Sequence, residues 1–345
     1  MRREDNLHVI CLVRADNNDI AKERVEATIK QYSIQCHPVR WSAIAGDLAQ
    51  ENLGLSQSGW SSLVNCISVV FHAGSIVNAS LPLGAIRSTN VSGTKTIVEL
   101  CVAANAELHY ISSASVLGGS GITEEILDVP PPRKHSTAYA KSKWLSEQIV
   151  RLGVTELGLR ARLYRLGTMG CHSKTGACNS NDTFTRILEG IISLETITKD
   201  GDFPLPKGFY LAPIDWAMKS LCTIALKSSN EINDLLHKKK DKHRIEKAEV
   251  FHIISNHCMP ISTAYNAIVR RGMTLTTVSA SEFKEKLGTM LESNPMYAFR
   301  DVFNGRAPER LSSLPLSTEK TCTFTDSCPT VDENVIVKML QFLGH

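Results

Sequence analysis

Tyr139 and Lys143 stand four residues apart in the stretch TAYAKSKW. On a helix that spacing puts both side chains on one face, one turn apart. A tyrosine is a poor acid or base near neutrality, because its unperturbed pKa is ~10. An ammonium one turn away and a positively charged nicotinamide both favour the phenolate and lower that value. Upstream, YISSASV carries hydroxyls at Ser112, Ser113 and Ser115. A serine closing a neighbouring strand can share a substrate oxygen with the tyrosine. The trio suits hydride transfer to a carbonyl: the tyrosine gives the proton, the serine holds the developing oxyanion, and the lysine reaches the cofactor ribose. Taken alone, Tyr and Lys at this spacing describe many exposed helix faces. The pair opens a helix after a strand ending in Ser-Ser, and that placement is what points to chemistry.

The elements needed to position such a trio are legible around it. Val9 to Val13 is a short apolar run, the pattern of a parallel strand covered on both faces. A helical stretch follows from Asp19 to Tyr32. RWSAIAGDL (40–48), CISVVFHAG (66–74), ELHYISSASV (107–116) and RARLYRLG (160–167) read as further strands. Between them, Leu83 to Ala104 has helical spacing, and 136–153 is a helix that Ser136 or Thr137 can cap. Strand–helix alternation of this kind predicts an α/β fold, a doubly wound, parallel, Rossmann-like sheet with a smaller irregular C-terminal region that binds substrate. The domains are expected at 1–167 and 168–345. Residues 168–212 read as loop-rich, with late sheet elements near 210–226 and 249–255. Glu231 to Lys247, with HKKKDKHR, reads as a solvated insertion rather than a docking patch.

Composition excludes several classes. The 345 residues carry 38 Lys+Arg against 35 Asp+Glu, which gives no basic field for nucleic acid. No apolar run approaches the ~20 residues of a membrane span, and the charged N-terminus makes a poor signal peptide, so a cytoplasmic protein is expected. The ten cysteines contain no CxxC pair. Cys171, His172 and Cys178 form the one cluster worth testing as a metal site, and they read as loop thiols instead, so no metal is expected.

Several stretches together resemble one family. CLVRA, AIAGDLAQENLGLS, FHAGSIVN, NVSGT, YISSASV, YAKSKWLSE, YRLG and TGACNSND are spread over almost the whole chain. They resemble the thioester reductase domains of the extended short-chain dehydrogenase/reductases, which end nonribosomal peptide synthetases, carboxylic acid reductases and aminoadipate reductases. Sugar-nucleotide epimerases share the Tyr-Lys pair but lack the sequence between. The resemblance implies Ser113, Tyr139 and Lys143 as the catalytic trio and NADP(H) as cofactor. Arg14 would face the adenosine 2′-phosphate, where an NAD-specific site prefers an acid. Arg24 is a second candidate for that phosphate, or solvated helix face. Asp47 and Leu48 would border the adenine, and Ala73 and Gly74 would line the cofactor's backbone. Asn90 is either a buried structural amide or a member of a proton relay.

The resemblance further implies reduction of an acyl or peptidyl thioester, delivered on the phosphopantetheine arm of a carrier protein, to an aldehyde or onward to an alcohol. Members of the family begin with a strand, a GxxGxxG turn and a helix that precede CLVRA, and that unit is not found here. In a 3-2-1-4-5-6 sheet that strand is central and its turn holds the pyrophosphate. The expectation is an N-terminally incomplete reductase: a fragment, an incorrectly started reading frame, or a chain completed by a missing segment or second polypeptide. The alternatives are a catalytically silent binding or regulatory protein and, among enzymes, a fatty acyl-CoA reductase or an epimerase.

Overall fold

A computed structural model describes residues 7–78, 81–118, 122–123, 125–134, 136–199, 207–228, 231–232, 248–299 and 316–345. The charged stretch HKKKDKHR lies outside the described residues. Two compact units divide the chain, one of residues up to His109 with Ser142–Ala161, the other of Tyr110–Lys141 with Arg162 onward. Strands β1 (Val9–Val13) and β2 (Trp41–Ala45) form a parallel pair. Four others, β3 (Val69–His72), β4 (Glu107–Ser113), β5 (Ala161–Leu166) and β6 (Ala248–Ile253), form one sheet. Its order is β6-β5-β4-β3.

In the first unit, α1 (Asn18–Gln31) is capped by Asn17, whose side chain accepts from Ile20 N–H. It follows β1 and packs on β2, where Asn18 also accepts from Ala45 N–H. α2 (Gln57–Cys66), capped by Ser56, is a helix that no strong apolar stripe announced. The long helix α3 (83–104) runs as anticipated, but its turn Ser88–Ser92 is π-helical. The expectation that the opening strand is covered on both faces is corrected. No residue of β1 or β2 is fully buried, Val9 is 56% exposed, and α1 buries only Ala21. Among the described residues β1 is paired with β2 alone and β3 with β4 alone, and Phe71 on β3 is 51% exposed.

Close approach, rather than turn formation, explains two glycines of this unit. A Cβ on Gly93 of α3 would lie 2.7 Å from the carbonyl oxygen of Leu48, and one on Gly74 would lie 2.6 Å from that residue's side chain. Leu48 is thus wedged between the end of β3 and α3. It is delivered there by a turn in which Asn52, Leu53 and Gly54 all take left-handed φ, with Asp47 N–H closing it onto Leu53 O at 2.8 Å.

In the second unit β5 and β6 are buried nearly throughout, as strands covered on both faces must be. They share a core with α6 (Ile214–Ala225), in which Tyr164 stacks on Phe251 at 5.9 Å. The loop-rich reading of 168–212 is also corrected. It contains α5 (Thr183–Leu194), where Phe184, Ile187, Leu188 and Ile191 recur at i, i+3, i+4 and i+7 and are all buried. This stripe packs in a second core with α7 (Ile261–Arg270), α8 (Ala280–Gly288) and α10 (Glu333–Leu343). Among the described residues no helix is long and apolar enough to cross a membrane.

The Leu48 contact generates a stability prediction. Gly93→Ala is expected to lower the melting temperature by several degrees, since overpacking against backbone costs about 1–3 kcal/mol. Gly84→Ala, on the same helix with open space around it, is expected to leave it unchanged or slightly raised. Equal effects of the two in a thermal denaturation series would show that the Leu48 contact is not what constrains Gly93.

Candidate active site

Helix α4 (Ala138–Leu157) begins where Thr137 accepts the Ala140 N–H at 3.2 Å, so Thr137 is the capping residue. Tyr139 is half-buried in the first turn, and Lys143 follows one turn on, with only 3% of its surface exposed. Burial pulls the Lys143 ammonium down to about 8, partly opposed by the carboxylate of Glu147 a further turn along. Glu147 is itself fully buried. Ser113 closes β4, and its Oγ accepts from the Ser115 N–H at 3.2 Å and the Ser115 hydroxyl at 2.9 Å. That contact fixes the Ser113 side chain and leaves its proton available to a further acceptor.

The first unit gathers the other expected residues at the ends of β1, β2 and β3. Arg14 ends β1 on the surface, and the Arg24 guanidinium donates to the Arg14 carbonyl, so α1 returns its arginine to the point where β1 stops. The Arg24 side chain thus lies at that strand end rather than only on a solvated helix face. Asp47 follows β2, its carboxylate accepting from Ala49 N–H at 2.8 Å. Ala73 and Gly74 are exposed just past β3. The constraint visible at Gly74 is the Leu48 side chain, so close approach there serves packing within the protein.

Asn90 lies in the π-helical turn, buried at 2% exposure. Its side-chain oxygen accepts the Ile76 N–H at 2.7 Å, and its amide donates to Ile76 O at 3.1 Å and to Ser142 Oγ at 3.0 Å. It therefore splints the segment after β3 to α4, the structural-amide alternative. The turn frees its carbonyl for side chains: Thr94 Oγ1 lies 2.6 Å and Ser146 Oγ 2.7 Å from that oxygen.

Sequence reasoning missed His72, although it stood in plain view in FHAGSIVN. His72 Nε2 meets Thr94 Oγ1 at 3.0 Å. Because the Thr94 proton goes to Asn90 O, the histidine is the donor in that contact, which fixes the Nε2–H tautomer. Burial, helped by the charge of Lys143, drops its pKa to about 3, so it stays neutral. No pattern of spacing marks this histidine, because its partners come from two other helices.

The cysteine–histidine cluster is absorbed by the second unit's core. Cys171 and Cys178 are buried thiols pushed up by burial to about 12 and about 11. The His172 ring accepts from the Lys174 and Thr175 N–H groups.

Comparison with known proteins identifies the family. Residues 1–221 match the NAD-binding family described as male sterility protein. The chain is 28% identical over 356 residues to a linear gramicidin synthase of Brevibacillus parabrevis, covering 98% of this chain and 6% of that protein. It is 32% identical over 212 residues to the large subunit of L-2-aminoadipate reductase from Penicillium chrysogenum, covering 56% of this chain and 15% of that one. It thus spans a small part of the length of these relatives. Among solved structures it superposes on the terminal R domain from the myxalamid PKS-NRPS biosynthetic pathway with a TM-score of 0.81, at 24% identity, over 99% of this chain and 85% of that one. With 221 of its 345 residues matched to that family model, the chain belongs to the NAD-binding male sterility protein family, and its fold is that of the R domain on which it superposes.

Proposed function

We propose that this chain uses NADPH to reduce an acyl or peptidyl thioester, presented on the phosphopantetheine arm of a carrier protein, to the aldehyde. The observation that carries the reading is α4 itself, which sets Tyr139 at its start and a buried lysine one turn later. The reduced nicotinamide, when bound, supplies the hydride that the thioester carbon accepts. Tyr139 gives its phenolic proton to the carbonyl oxygen as negative charge develops there, and Ser113 donates a hydrogen bond to the same oxygen. The resulting thiohemiacetal releases the carrier thiol and leaves the aldehyde. The Lys143 ammonium lowers the tyrosine pKa electrostatically and donates to the ribose. At a pKa of about 8 it is still largely charged at neutral pH.

The preference for NADPH rests on charge. The Arg24 guanidinium reaches the Arg14 carbonyl just past β1, where the Arg14 side chain is exposed, and a guanidinium is the side chain best shaped to take a phosphate bidentately. Asp47 and Leu48 lie at the end of the adjacent strand, suited to an adenine edge and face. Asn90 holds the backbone of Ile76, and with it the Ala73–Gly74 segment that would run beside the cofactor.

Three outcomes are expected. Tyr139→Phe should cut thioester reduction by about a hundredfold or more while leaving NADPH affinity, read by cofactor fluorescence, within a factor of two. An unchanged rate would remove Tyr139 from the chemistry. Arg14→Ala should weaken NADPH binding about tenfold and leave NADH binding alone; a parallel loss for both would assign Arg14 to something other than the 2′-phosphate. The rate should hold below about pH 8 and decline as pH rises through it, as Lys143 loses its proton. A profile flat to pH 10 would dissociate the ammonium from catalysis. Absence of any NADPH binding by the folded chain would favour the silent binding protein instead.

A further inference from the structure

The connection between β4 and α4 carries Ser113 at one end and Tyr139 at the other, and a single buried carboxylate fastens it midway. Glu125 is 8% exposed. Its oxygens accept the backbone N–H groups of His252 at 2.8 Å, Lys320 at 2.7 Å and Thr321 at 3.2 Å, together with the Thr321 hydroxyl. Two residues earlier, Thr123 O accepts the Ser317 N–H at 2.8 Å. One side chain thus ties together strand β6, the short helix α9 (Glu319–Cys322) and the segment leading into it.

The groups around it are arranged to keep this clasp closed. Arg165 is fully buried, and its Nη1 lies 3.4 Å from His252 Nε2. A guanidinium only donates, so Nε2 accepts and Nδ1–H donates to Ser317 O at 2.8 Å. The far side of the segment is held separately: Lys320 pairs with Glu249, its Nζ 5.2 Å from the centre of the Phe251 ring. Asn256 donates to Leu316 O at 3.1 Å. Glu125 is raised above the usual carboxylate range by burial, against the pull of its four donors.

The geometry points to Glu125 as a positioning residue for the reaction. By fastening the C-terminal segment Ser317–Thr321 and β6 to the β4–α4 connection, it sets where Ser113 and Tyr139 stand. The assignment rests on the reductase reading above for its kinetic consequence, though not for the clasp itself. Glu125 touches neither substrate nor cofactor; it acts through the backbone that bears the two hydroxyls. Glutamine keeps the volume but turns an amide N–H₂ toward N–H donors, leaving at least one of them unpaired. Glu249→Gln removes the ion pair on the far side of the same segment while sparing the clasp.

The test compares Glu125→Gln, the milder Thr321→Val and Glu249→Gln in the full chain, by amide hydrogen exchange, thermal denaturation, NADPH affinity, and kcat and KM on an acyl-phosphopantetheine thioester. Glu125→Gln is expected to speed exchange both in peptides around Ser317–Thr321 and in those containing Ser113 and Tyr139. It should lower kcat about tenfold to a hundredfold, as a small displacement of reacting groups does, with NADPH affinity within a factor of two. Thr321→Val should do the same to a smaller degree. Glu249→Gln should lose comparable stability while keeping kcat and the exchange of the Ser113 and Tyr139 peptides. Exchange confined to the C-terminal segment overturns the proposal, whatever the activity. So does a kcat loss that simply tracks melting temperature in all three variants. If the wild-type chain reduces no thioester while exchange spreads as expected, the clasp stands and the reductase reading is what fails.

Discussion

A positive charge out of reach of water is the constraint around which the first unit is arranged. Moving an ammonium into a protein interior costs several kcal/mol unless other groups compensate. For Lys143 the compensating carboxylate is Glu147, one turn further along α4 and equally buried. Burial, with a smaller push from the same charge, keeps the nearby histidine neutral, so His72 serves as a hydrogen-bond donor of fixed tautomer. Its acceptor, Thr94, hands its own proton to the carbonyl that the π-helical turn of α3 has set free. Burial sets the charge states of the lysine and the histidine, and the hydrogen bonds then fix which group donates to which.

That arrangement joins pieces that are distant in sequence. Asn90 reaches the segment after β3 with one end of its side chain and Ser142 with the other, while Ser146 meets its carbonyl. The unwound turn costs one regular helical hydrogen-bonding pattern and offsets that by accepting two hydroxyls on one oxygen. The second unit is held differently. Its cohesion comes from two apolar cores, one on β5 and β6 and one among four helices, with the buried Glu125 clasp beside them.

How much of this the sequence disclosed depends on whether a feature is local. The helix over 83–104 and the strands at 107–113 and 161–166 were legible because periodicity and apolar runs are properties of one segment. A cap at Ser136 or Thr137, of which the helix uses Thr137, and the Tyr139–Lys143 spacing were legible for the same reason. The helix Thr183–Leu194 was obscured by the Gly, Ser and Asn residues just before it, although its apolar stripe is strong. Coverage of β1 was misjudged because composition reports what a strand prefers, not what lies over it. Close approach at Gly74 was expected from a cofactor, and the atom that approaches it within the chain belongs to Leu48, held in place by the turn of the left-handed Leu53. His72 and Glu125 could not be read at all, because each is defined by partners from elsewhere in the chain.

The hydrogen bonds to Glu125 span sequence separations of 127 to His252 and 196 to Thr321. Closing loops of that size is entropically unfavourable until most of the intervening chain is already compact. The Ser113 and Tyr139 connection can therefore be clasped only once the chain through Thr321 has been made and packed, so an ordered middle segment depends on residues some two hundred positions further on.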